Sequence, residues 1–96
     1  AHQASAMRGF SAEQLLAVAD EYCAYTGARV RSFSALVACA SVPGARVHGV
    51  PVCDTAGQAS EELAEAVRRM QPLSTENSGF AEVAAEVYRR WAGLAP

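Results

Sequence analysis

Between Val42 and Val52 the chain places Pro43, Gly44, Gly49 and Pro51, with Arg46-Val47-His48 between them. Proline removes a backbone donor and fixes φ, and glycine weakens a helix, so no helix can run through this stretch. Its apolar and polar residues alternate (Ala45, Val47 and Val50 against Arg46 and His48), the pattern of a short hairpin or extended flap. A break of this kind near the middle of 96 residues excludes a long two-helix hairpin. It leaves shorter helices on either side.

Those helices are written in the apolar spacing. Ser11 followed by Gln14 forms a capping-box pattern, and Leu15, Val18, Ala19 and Tyr22 recur at helical spacing until Gly27. A second, shorter helix starts near Ser32 and carries Phe33, Leu36, Val37 and Ala40. Asp54 or Thr55 caps a third, which runs to about Met70 with Ala59, Leu63, Ala66 and Val67 on its core face. The fourth takes Ser78 as N-cap, Phe80, Val83, Ala84, Val87 and Trp91 as its stripe, and Gly93 as C-cap. The expected fold is all-α: a small bundle of four main helices with a flap between the second and third. Residues 10–96 form one domain, and Ala1 to Gly9, which lack periodicity, are expected to be a flexible tail.

Composition narrows the chemistry. Apolar residues make up 51% and charged residues 19%, as in a folded domain, and no apolar run reaches the length of a membrane span. A net charge of −2 gives no general attraction to nucleic acid or anionic membranes, so neither is expected as a partner. All eight basic residues are arginine, which excludes lysine-based covalent catalysis. Cys23, Cys39 and Cys53 are too few for a zinc site and odd in number for a disulfide framework. They are expected to be reduced packing residues in a cytoplasmic protein.

The order of parts resembles the Fic/Doc family (filamentation-induced-by-cAMP and death-on-curing proteins), closest to its short death-on-curing branch. The likeness runs from the Phe10-Ser-Ala-Glu-Gln-Leu-Leu helix start to Gly93, and its most telling part is Gln71 to Gly93. That family moves nucleotidyl or phosphoryl groups from a nucleotide to protein hydroxyls through a loop reading His-x-Phe-x-Asp/Glu-Gly/Ala-Asn-Lys/Gly-Arg. Carried onto this chain, Gln71 stands where the general base would be, and an amide accepts no proton near neutral pH. Leu73 fills the slot of the anchoring Phe, and Thr75 replaces the metal-binding acid. Glu76 replaces a small residue, Asn77 matches, and Ser78 and Gly79 replace the last two positions, so the phosphate-clamping Arg is missing.

The resemblance therefore implies a catalytically degenerate relic of a toxin, or a regulatory subunit, that acts through protein–protein contacts. No metal and no cofactor is expected, with ATP and Mg²⁺ entering only if the degenerate loop still cradles phosphates. The alternative is a repurposed enzyme or small-molecule binder that uses Gln71, Thr75, Glu76, Asn77, Ser78 and Gly79 as polar ligands, with Glu76 or His48 as acid or base. Arg46, Val47 and His48 form the flap edge, which pairs with target backbone in that family. Members of the short branch continue past the closing glycine, whereas this chain stops at Pro96. On that reasoning Val87, Tyr88 and Trp91 lie uncovered, and a homo-oligomer or a partner protein (an antitoxin-like protein or an active enzyme) is expected to cover them.

Overall fold

A computed structural model describes residues 9–53 and 55–94 of the chain. Helix α1 spans Ala12–Thr26, α2 Phe33–Ala40, α3 Ala56–Met70 and α4 Asn77–Leu94, with strands β1 Arg46–Val47 and β2 Val50–Pro51 between α2 and α3. The all-α fold with one small flap is the expected one. The expected tail falls outside the described residues, apart from the exposed Gly9.

Local chemistry sets most of the helix ends. The Ser11 hydroxyl accepts from the Gln14 amide, and the Gln14 side-chain carbonyl accepts from the Ser11 amide, both at 2.9 Å. This reciprocal box satisfies two donors that a helix start leaves orphaned. Gly27 closes α1 in the left-handed region at φ 84°, a conformation glycine adopts without a Cβ clash. Ser32 caps α2 and Thr55 caps α3, each hydroxyl accepting from the amide three residues on. Asp54, the other expected cap of α3, lies outside the described residues.

In the flap, Arg46 pairs with Pro51 and Val47 with Val50 in antiparallel register. The two turn residues, His48 at φ 52° and Gly49 at φ 81°, both hold positive φ, which the twist of a two-residue hairpin requires. Among the described residues the backbone of the strands comes close to no helix, and Val47, Val50 and Val52 are exposed.

The core is built chiefly between α3 and α4, where Ala59, Ala66, Ala81 and Ala84 are buried with Leu63, Val67 and Phe80. Small residues let the two helices approach closely. Leu15 and Ala19 of α1 and Leu36, Cys39 and Ala40 of α2 join it, with Phe10, Cys53, Leu73 and Tyr88. No disulfide joins the three cysteines; Cys39 and Cys53 are buried and Cys23 half-buried.

Several expectations need correction. Ser78 is not the cap of α4: the helix begins at Asn77, and its first bond runs from the Phe80 amide to the Glu76 carbonyl at 3.0 Å. Gly93 lies inside α4 and does not end it. Phe33 and Val37 are exposed, so the apolar face of α2 is narrower than its sequence suggests. Tyr88 is fully buried, so it offers no surface to a partner. Phe10, just ahead of α1, packs edge-on against Tyr88 at 5.4 Å and beside Trp91 at 5.5 Å, and this aromatic cluster leaves Trp91 half-buried. Of the three expected interface residues only Val87 is exposed.

Candidate functional site

Two features compete for function: the polar loop between α3 and α4, and a groove between α1 and α4.

The loop is occupied by its own structure. Gln71 ends α3 in the left-handed region at φ 51°, and its carbonyl and that of Met70 accept from the Arg31 guanidinium, each with a bond of 3.0 Å. The Pro72 carbonyl accepts from the amides of Arg31 and Ser32 at 2.7 and 3.0 Å. Ser74 donates its amide to the Arg29 carbonyl at 2.7 Å, while its hydroxyl accepts from the Arg29 amide at 3.0 Å. The segment before α2 thus pairs with the loop along its length, with Val30 opposite Leu73.

Asn77 holds the other side. Its Oδ1 accepts from the Leu73 amide and its Nδ2 donates to the Leu73 carbonyl, both at 3.0 Å, which secures Leu73 in the core. Asn77 thus spends its side-chain amide on loop backbone. Glu76 is turned to φ 63°, and its carbonyl accepts from the Tyr22 hydroxyl at 3.2 Å. Burial, followed by the nearby Glu76 carboxylate, raises the Tyr22 phenol above its ordinary range, so it remains a donor. Thr75 and Ser78 are exposed side chains of the loop and first turn.

Gly79 is there for packing. A Cβ at this position would meet the Tyr22 hydroxyl at a separation that real side chains do not show, and the ring carbon behind it at 3.3 Å. Nothing larger than glycine fits while Tyr22 reaches Glu76, which leaves no room for a phosphate-clamping arginine.

The flap residues Arg46, Val47 and His48 lie at the surface. His48 sits exposed at the turn, and Arg46 donates back to the Gly49 carbonyl at 2.7 Å. The arginines near the loop are spread among partners: Arg69 faces Glu65, and Arg89 and Arg90 both pair with Glu86. Arg89 also donates to the hydroxyl of buried Ser60 at 3.1 Å. These pairings hold the Glu86 carboxyl below the ordinary carboxylate range, chiefly through its hydrogen bond from Arg90 and then that from Arg89. Among the described residues no three His, Cys, Asp or Glu side chains come together as a metal site. No described helix is long and apolar enough to cross a membrane.

The second feature escapes a motif search. Val18 and Tyr22 of α1, and Val83 and Val87 of α4, belong to the apolar stripes of their helices, yet nothing among the described residues covers them completely. They line an open groove of about 540 Å³ with Ala17, Glu21 and Tyr25. The surface continues over Gly79, Glu82 and Glu86. Tyr25 is 90% exposed, and Val83 and Val87 are 36% and 37% exposed. The signal available in the sequence is a stripe wider than one neighbouring helix can bury.

Comparison of the chain with protein families, with curated proteins and with solved structures finds no match.

Proposed function

We propose that this chain is a helical protein-interaction domain whose working surface is the α1/α4 groove, and that the 71–77 loop performs no group transfer. The observation that carries this reading is the uncovered apolar lining: Tyr25, Val83 and Val87 are exposed side by side along one groove. A contiguous apolar surface framed by polar residues is the usual mark of a contact site. The loop supports the same reading by default, because Asn77, Ser74 and the Pro72, Leu73 and Glu76 backbone are engaged internally. A protein that resembles a transferase family but lacks its base, metal acid and phosphate arginine would act through such contacts.

The test is site-specific photocrosslinking in the cells that make the protein. A benzoylphenylalanine probe at position 25 or 87 is expected to give discrete protein adducts that the same probe at position 62, on α3, does not. No adducts, or the same adducts from all three positions, would overturn the proposal.

A further inference from the structure

We infer that the α1/α4 groove receives a cationic amphipathic helix from another protein, an inference that rests on the groove being the contact surface. The charged side chains that line the groove are carboxylates, and two of the three are not neutralised by a neighbour among the described residues. Glu21 on one wall and Glu82 and Glu86 on the other line it, and among the described residues no arginine does. Helix α1 carries Glu13, Asp20 and Glu21 and no basic residue. Glu86 is paired with Arg89 and Arg90, whereas Glu21 and Glu82 have no ion-pair partner among the described residues. A partner with basic residues flanking its apolar anchors would supply the missing counter-charges.

The shape selects a helix. Both walls are helical, so their main-chain donors and acceptors are used within the walls and offer no edge to an extended strand. Gly79, Val83 and Val87 follow one another at i, i+4 and i+8 along one face of α4. That row spans about 12 Å at the helical rise, room for roughly two turns of a docked helix. Apolar side chains at i, i+3 or i+4 and i+7 would meet Val83, Val87 and Tyr22, with Arg or Lys on the flanks reaching Glu21 and Glu82.

The same charges disfavour other occupants. A second copy docked groove to groove would set these glutamates against one another across a two-fold axis. An anionic lipid surface or a nucleic acid would meet the same repulsion.

The probe is a fluorescein-labelled 18-residue Leu/Lys peptide with leucine at heptad positions a and d, compared with its Leu/Glu counterpart by fluorescence anisotropy. The Leu/Lys peptide is expected to bind and the Leu/Glu peptide not to. Reversing both free rim charges (Glu21→Lys with Glu82→Lys) should weaken the first about tenfold, given the usual strength of exposed charge pairs, and admit the second. The Glu61→Lys, Glu62→Lys double variant on α3 should leave binding unchanged, which separates the groove from general acidity. Val83→Asp should abolish binding, with circular dichroism confirming the fold at this partly exposed position.

Binding of both peptides, lost in Val83→Asp, would overturn the cationic partner and keep the groove as a contact surface. Leu/Lys binding that ignores Val83→Asp, or falls equally with the α3 variant, would overturn both. Failure of the Leu/Lys peptide to bind would overturn the cationic helix and leave the groove to the crosslinking result.

Discussion

Substituting Asn77 by Ala tests whether the loop is a clamped connector. The side chain makes two hydrogen bonds of 3.0 Å to the backbone of Leu73, a residue only 1% exposed. Each such bond contributes roughly 0.5–1.5 kcal/mol net, so losing both costs about 1–3 kcal/mol. Ala has the better helix propensity by a few tenths of a kcal/mol, which offsets little of that near the helix start. The expected loss is about 2 kcal/mol, or on the order of 10 °C in Tm for a domain of this size. Asn77→Asp should be milder. It keeps an acceptor for the Leu73 amide, and its charge near the start of α4 returns about 0.3–1 kcal/mol, although the donor to the Leu73 carbonyl is gone. Urea unfolding followed by the fluorescence of Trp91, the lone tryptophan, measures both variants. If Asn77→Ala stays within about 0.5 kcal/mol of the parent, Asn77 does not hold the loop, and the argument that its amide is spent on structure fails.

Other perturbations probe other joints. Gly79→Ala, which would help an ordinary helix, should destabilise by about 1–3 kcal/mol because the new methyl displaces Tyr22. Adding Tyr22→Phe should recover much of that loss, since the remaining neighbour lies at 3.3 Å, and a double-mutant cycle in urea reads the coupling. Arg31→Ala should cost about 1 kcal/mol by uncapping the last carbonyls of α3, with Arg31→Lys intermediate because it keeps the charge but not the fork; thermal melts check both. Burial pushes the Cys39 thiol up to about 11, against a small opposing pull from Arg69. The unfolded chain ionises this thiol near its ordinary 9.0, so between there and pH 11 the unfolded state binds fewer protons and stability falls as pH rises. Cys23 and Tyr22, also raised, act in the same direction, so Cys39→Ala should flatten part of the alkaline decline in a series of urea melts.

What could be read in the sequence was what depends on near neighbours. Ser11 and Gln14 announce a capping box three residues apart, Thr55 is a cap by residue type, and the Gly49 turn shapes the flap. Helix existence followed from apolar spacing. What could not be read depends on contacts across the chain. Arg31 caps a helix some forty residues later, and Gly79 is small because of Tyr22, fifty-seven positions away. Tyr88 is buried because Phe10, ahead of α1, folds over it. The start of α4 was misplaced because Ser78 has a cap's chemistry, whereas Glu76 occupies the turn at positive φ that residue preference disfavours. The polar residues of the loop look catalytic in sequence for the reason they make a good connector: they carry many hydrogen-bonding groups at close spacing.

The most direct test of the division between groove and loop is a titration of ¹⁵N-labelled protein with the Leu/Lys peptide, followed amide by amide. The expected result is a cluster of shifts from Ala17 to Tyr25 and from Glu82 to Val87, with Met70 to Ser74 unmoved. Shifts centred on the 71–77 loop, with the groove amides still, would contradict it.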